Sequence, residues 1–273
     1  MPSFRPAAGL ALAALSQVTP FLVAPAFAGA VSFVSVTGDD RRDCSTPANA
    51  CRTFQRAHNQ TSPHGELIAL TPGDYRALTI NRSISVIGVD GAGIFGGVAT
   101  TIQIQIAAGP NDAVFLTGLT LDGAGIAKYG VGPAPAALQQ PAVFVRKCSI
   151  RNMKDGGVVA SGRTMVEDAH VSNPSANLSL GGRSLVHRVV AAGAGTSEIA
   201  AAATTTISKS SITGGSFGVL AVDGAVFMNR SAITGNATGY AAIGGLGLSS
   251  AGDNLLRGNT TDASAAFATI GLK

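Results

Sequence analysis

The chain has 273 residues, with 19 Lys+Arg and 15 Asp+Glu, only 12% charged, alongside 35 glycines, 46% hydrophobic residues and no tryptophan. So little charge on so apolar a chain excludes a disordered polyampholyte, and this glycine density excludes a mainly helical protein, because each interior glycine costs a helix about 1 kcal/mol. The net charge of +4, or +3 without Arg5, and the absence of any Lys/Arg run longer than two give no basis for a nucleic-acid partner.

Residues 1–28 read as a secretory signal peptide. Arg5 supplies the positive charge, Ala7 to Leu15 the apolar stretch, and Ala26-Phe27-Ala28 the small-x-small pattern for cleavage after Ala28. Ser16-Gln17, Pro20 and Pro25 interrupt the roughly 20 apolar residues that a membrane span needs. An uncleaved anchor is the alternative; no later segment is apolar enough to cross a bilayer. The mature chain is expected to be secreted or periplasmic, with no membrane span after cleavage.

Residues 29–64 are expected to form an N-terminal unit of strand, cysteine loop and capping helix. Val31 to Ser35 alternates like a strand. Cys44 and Cys51 lie seven apart around Pro47, and an exported chain would join them in a disulfide worth roughly 2.5 kcal/mol by loop closure. His58 and His64 offer an alternative Cys2His2 zinc set, but the spacing fits none of the usual zinc patterns, so no metal and no cofactor is expected. Arg52 to Gln60 reads as a short helix with Phe54 and Ala57 on one face, placed to cover the open end of an array.

Strands follow at Leu67–Leu70, Leu78–Ile80, Ile84–Ile87 and Ile102–Ile106, and from Ala142 a repeat of 20 or 21 residues takes over. Its copies begin AVFVRKCSIRN (142–152), RTMVEDAHVSN (163–173), RSLVHRVVAAG (183–193), TTTISKSSITG (204–214) and AVFMNRSAITG (225–235). An earlier copy is AVFLTGLTLDG (113–123), and a degenerate one lies near 246–259. The fourth position (Leu116, Val145, Val166, Val186, Ile207, Met228) and the ninth (Leu121, Ile150, Val171, Ala191, Ile212, Ile233) are apolar. The seventh is small, placing Cys148 as a core residue. Asn152, Asn173, Gly193, Gly214 and Gly235 then mark a turn tolerant of left-handed backbone. Short strands at this period, without a leucine-rich-repeat frame, predict an all-β solenoid over residues 65–262, its coils stacked about 4.8 Å apart. Residues 263–273 remain as a C-terminal tail.

The segments Phe33-Val34-Ser35, Cys51-Arg52-Thr53-Phe54, Thr71-Pro72-Gly73-Asp74-Tyr75, Gly118-Leu119-Thr120-Leu121-Asp122-Gly123 and Gly252-Asp253-Asn254 carry a resemblance. The chain resembles exported bacterial proteins built of parallel β-helix repeats, related in architecture to the pectin-lyase-like superfamily. The resemblance implies a right-handed helix with every sheet parallel, and implies no activity. The W-I-D-H stretch of pectate lyases is missing. Of the polygalacturonase motifs, Asp39-Asp40 precedes the solenoid, His64-Gly65 lacks its first glycine, and Asn259-Thr260-Thr261-Asp262 is one residue too long.

Two columns carry the functional expectations. Positions five and six hold Arg146-Lys147, Glu167-Asp168, His187-Arg188, Ser208-Lys209 and Asn229-Arg230, a basic stripe with one acidic rung. Arg146, Lys147, Arg188, Lys209 and Arg230 are candidates for binding an acidic polysaccharide or cell-envelope glycan without catalysis. The alternative is a polysaccharide lyase or glycoside hydrolase with Glu167 and His187 as acid and base, although glycosidases need a second carboxylate and none is apparent. The bland reading is a solvated corner of exposed ion pairs. Position three holds Phe115, Phe144, Met165, Leu185, Thr206, Phe227 and Leu248. It either faces outward, giving Phe115, Phe144 and Phe227 to a protein partner or self-association, or turns into the core.

Overall fold

The computed structural model describes residues 29–135, 140–244, 247–265 and 267–269; the signal-peptide reading and its cleavage point at Ala28 lie outside them. Among the described residues the chain winds as a right-handed parallel β-helix of three sheets, with eleven, nine and nine strands. Each coil gives one strand to each sheet. Ala142–Arg146 lies on the eleven-stranded front sheet, Ser149–Arg151 on the second and Gly156–Ala160 on the third. The next coil repeats the order with Thr164–Glu167, His170–Ser172 and Leu178–Leu180, each parallel to its predecessor.

Alternation along each strand decides what fills the interior. On the front sheet positions two and four point inward, so Val143, Val145, Val166, Val186 and Ile207 are buried, and Ile150, Val171, Ala191, Ile212 and Ile233 meet them from the second sheet. Position three therefore faces outward. Phe115 remains 42% exposed and Phe227 40%, and the Phe115 and Phe144 rings stack with centroids 4.5 Å apart. Leu248 is a correction: the last coil carries one additional residue, so Leu248 pairs with Val226 and is buried, while Ser249 takes the outward place beside Phe227.

The turn between the second and third sheets solves the problem of buried backbone N–H groups, each needing an acceptor. Asn173 Oδ1 accepts from Met153 N, Asn236 Oδ1 from Gly215 N and Asn259 Oδ1 from Asn236 N, each across to the preceding coil. Within their own coils Asn177 Oδ1 accepts from Asn173 N and Glu198 Oε1 from Ala194 N. Asn173 thus belongs to this buried ladder. Its coil is one residue shorter, and the left-handed column runs through Asn152, Gly193, Gly214 and Gly235 without it.

Before the first coil, the strand Gly29–Val34 pairs parallel with Thr61–Ala69. The helix Phe54–Gln60 packs against both and against Leu78–Ile80. Its start is fixed by Thr53 Oγ1 accepting from Arg56 N, and by Asp40 accepting from the backbone of Arg52 and Thr53. Phe54, Ala57 and His58 are buried, and the Phe54 ring lies 4.8 Å from Tyr75. Burial without a counter-charge holds His58 below the usual imidazole range. Cys44 and Cys51 form the expected disulfide. The first coil begins at Thr61, within the segment read as the N-terminal unit, and Phe267–Thr269 extends the front sheet into the segment read as a tail. Among the described residues no helix is long and apolar enough to cross a membrane.

Candidate functional site

The two-residue turn between the front and second sheets places the charged column. Lys147, Asp168, Arg188, Lys209 and Arg230 all occupy left-handed backbone, with φ of 52°, 52°, 50°, 50° and 46°, where the earlier coil has Gly118 at 69°. For a residue with a Cβ this conformation costs about 1–2 kcal/mol. Coil-to-coil hydrogen bonds enforce it: Lys147 N donates to Glu167 O, Arg188 N to Ser208 O and Lys209 N to Asn229 O. The buried second turn residue completes the arrangement, as Ser210 Oγ accepts from Val189 N, Ser231 Oγ from Ser210 N and Asn254 Oδ1 from Ser231 N. The side chains of this column are consequently presented outward, one per coil, from a hydrogen-bonded ridge.

The five basic candidates do not form one continuous stripe. Glu167 is clamped between Arg146 Nε at 3.2 Å and Arg188 Nη2 at 2.8 Å, and Asp168 is held by Arg188 as well, through Nε and through Nη2 at 2.9 Å. The hydrogen bond from Arg188 holds the Asp168 carboxyl below its usual range, and the same contact raises the Arg188 guanidinium. Lys147 extends outward beside this cluster. One coil on, Lys209 is exposed and forms no ion pair among the described residues, and Arg230 meets Asp253 at a loose 3.6 Å. The acidic rung thus pairs Arg146 and Arg188, and the second half of the stripe, from Lys209 on, carries one unpaired cation and the loosely paired Arg230.

That second half borders a groove of about 700 Å³. Arg188, Lys209 and Arg230 form one wall; the outward residues of the second sheet, Val190, Ser211, Ala232 and Leu255, form the floor. Val190 and Leu255 are 39% and 45% exposed, unusual for aliphatic side chains beside cations. On the other side of the ridge, Phe115, Phe144 and Met165 join Thr117, Arg146 and Glu167 around a smaller pocket of about 220 Å³.

The acid–base candidates are brought together but tied to other groups. His187 pairs with Glu167 across adjacent strands, yet its Nε2 is approached by Arg188 Nη1 and its Nδ1 lies 2.6 Å from Ser208 Oγ. A guanidinium only donates, so in that contact Nε2 is the acceptor, and both ring nitrogens are engaged. Ser208 and His187 have the spacing of a nucleophile and its base. The third partner, however, is a cation, where an activating triad places a carboxylate.

The sequence offered no signal for Glu198, whose buried carboxyl accepts from Ala194 N at 2.8 Å and from Asn177 Nδ2. Gly215 leaves room for it: a Cβ there would lie 3.0 Å from Glu198 Cγ. Burial raises the Glu198 carboxyl, and its sealed position removes it from any substrate. Burial likewise pushes the Cys148 thiol up to about 11. With Cys44 and Cys51 disulfide-bonded, the zinc alternative loses two ligands, and no three His, Cys, Asp or Glu side chains converge among the described residues.

Fold and site together define a right-handed parallel β-helix with a half-neutralised basic ridge over an open groove. Among solved structures the chain is similar to pectate lyase Pel9A, at 13% identity with a TM-score of 0.58, over 86% of this chain and 78% of that one. It also aligns with the A-module of the Azotobacter vinelandii mannuronan C-5 epimerase AlgE6, at 13% identity over 77% and 92% of the two chains, with a TM-score of 0.35. The first likeness establishes the fold alone. No family model and no curated protein matches the chain.

Proposed function

We propose that this is an exported protein that binds acidic polysaccharide without cleaving it, along the basic ridge. The observation that carries the reading is the set of basic side chains held in left-handed turns where glycine would relieve strain, beside an open groove. Backbone kept in a disfavoured conformation with a functional side chain is a pointer to use. Lys209 and Arg230 are the contact groups; Arg146, Lys147 and Arg188 extend the ridge, but Arg146 and Arg188 are paired with Glu167 and Asp168. The disulfide fits an oxidising compartment, and together with the leader reading of residues 1–28 supports export. The fold is shared with a pectate lyase, which supports a glycan as the partner.

The test is binding of the mature chain to polyuronate, sulfated and neutral polysaccharides, with new reducing ends and unsaturated products monitored in parallel. The expected result is salt-sensitive binding to acidic chains, lost in Lys209→Ala/Arg230→Ala, with no cleavage. Cleavage abolished by Glu167→Gln or His187→Gln would establish the enzymatic alternative instead. The stacked Phe115–Phe144 pair, with Phe115 exposed and Phe144 half-buried, favours a second surface, for self-association through Phe115, Phe144 and Phe227. Sedimentation of the wild type against Phe115→Ser/Phe144→Ser tests it: a monomeric wild type removes that surface.

A further inference from the structure

We propose that the helix Phe54–Gln60 is an acid-released latch on one end of the β-helix, with His58 as its trigger. The helix is seven residues long and packs against the strands Gly29–Val34, Thr61–Ala69 and Leu78–Ile80. An end unit of a solenoid has neighbours on one side only, so it opens at lower cost than the coils within. Both of its flanks are fastened. Upstream, Cys51 is bonded to Cys44 and its N–H donates to Phe33 O; downstream, Thr61 starts a strand that pairs with Gly29–Val34. The helix can therefore leave while the coils and the disulfide loop stay in place.

His58 is fully buried, together with Phe54 and Ala57. Its Nε2 has no hydrogen-bond partner among the described residues, and its Nδ1 lies 3.4 Å from Asn59 Oδ1, which also accepts from Gln55 Nε2. The surroundings offer an imidazolium no counter-charge. The strands Gly29–Val34 and Leu78–Ile80 carry no titratable side chain, and Thr61–Ala69 brings His64 and Glu66, both exposed. Tyr75, stacked on Phe54, turns its hydroxyl to Thr71 O, and Asp40 is committed to the backbone of Arg52 and Thr53 at the far end of the helix. The charge that acts on the ring is a cation, Arg82, whose Nη1 donates to Thr61 O; on the helix itself Arg56 reaches Arg42 O. The last turn of a helix ordinarily favours an imidazolium through its free carbonyls. Here Ala57 O and His58 O already accept from Thr61 N, and Ala57 O accepts from Thr61 Oγ1 as well. A doubly protonated ring would thus be a buried charge with an N–H and no acceptor, a state that opening to water relieves.

Burial holds His58 below the usual imidazole range, so the closed state binds fewer protons than the open one. The helix is fully held above about pH 6.5 and loosens as pH falls toward the closed-state value. Each pH unit in that window multiplies the open population by up to about tenfold. Release uncovers Tyr75 and the strand Leu78–Ile80, the end of the apolar column.

The experiment is hydrogen–deuterium exchange on the mature protein from about pH 7.5 to about pH 5, corrected for the pH dependence of intrinsic exchange, beside an NMR titration of the His58 ring. Protection of Phe54–Gln60 is expected to fall about tenfold or more toward the acid end, in step with the His58 titration, while the coil strands Thr164–Glu167 and Thr205–Ser208 keep theirs. His58→Leu should hold the helix protected across the range, and His64→Gln, at an exposed histidine, should leave the wild-type response intact. Helix protection independent of pH, an equal loss in His58→Leu, or coil strands opening at the same pH overturns the latch. Should His58→Leu fail to fold, the wild-type ring decides: titration of His58 with the helix still protected refutes the proposal, and titration together with release supports it.

Discussion

Replacing Lys209 by glycine is expected to make the protein more stable and a poorer binder. Lys209 has φ of 50°, and the equivalent turn of an earlier coil has Gly118 at 69°, so the fold accepts glycine in this role. The left-handed backbone costs a residue with a Cβ about 1–2 kcal/mol, and glycine returns about 0.5–1 kcal/mol of that through its larger unfolded-state entropy. The Lys209 side chain forms no ion pair among the described residues and is exposed, so little packing is lost. The net gain is about 0.5–1 kcal/mol, a rise of a few degrees in Tm for a domain of this size. Urea denaturation followed by circular dichroism measures it, and Lys147→Gly provides a second case three coils away, about 14 Å at 4.8 Å per coil. At that distance the two gains should add in the double variant. Binding of acidic polysaccharide by Lys209→Gly should fall while stability rises. A loss of stability would show that the lysine is there for the fold, and the reading of a side chain retained against conformational cost would fail.

Glu167→Gln releases both Arg146 and Arg188, so polyanion binding should tighten several-fold and become more salt-sensitive, while stability changes by less than about 1 kcal/mol, since the pairs are partly exposed; affinity at two salt concentrations checks it. Cys44→Ser/Cys51→Ser should cost about 2.5 kcal/mol from the eight-residue loop, with hydrogen exchange rising first around Phe54–Gln60. Glu198 is raised in the folded protein, so the native state binds more protons than the unfolded one, and this group's stabilisation is present below the ordinary carboxylate range and lost as pH rises toward the folded value. Glu198→Gln should remove that decline. The difference in urea midpoint between wild type and variant therefore changes from about pH 4 to pH 8, and a difference independent of pH would mean that Glu198 titrates normally.

The inward columns were legible because apolar burial repeats with the coil: Val166 and Ile207 must face the interior whatever lies around them, and alternation then turns Met165 and Thr206 outward. The register failed where a coil gained one residue: Leu248 was displaced by a single position, and a period-two strand converts such a shift into the opposite face. Asn173 keeps its place in the turn column beside Asn152 and Gly193 but lacks their left-handed backbone, its side chain being buried in the turn. Glu198 was invisible for a different reason: its slot depends on the side chain that Gly215 does not have.

The charged column shows most clearly what spacing conveys and what it leaves out. The sequence displays one acidic rung between basic ones, which reads equally as a polyanion site or as a solvated corner. Coil stacking shows which rungs are paired and which are not. At about 4.8 Å between coils, Arg146 and Arg188 both reach Glu167, and Arg188 also closes on Asp168, so two of the three cations in these coils are paired. Lys209 sits one coil beyond that reach, next to Ser208 where the preceding coils have Glu167 and His187, and nothing acidic lies beside it until Asp253. The proposed groove is therefore placed by the lack of an ion pair at a particular rung among the described residues, a property of side-chain reach between coils that residue spacing along the chain does not encode.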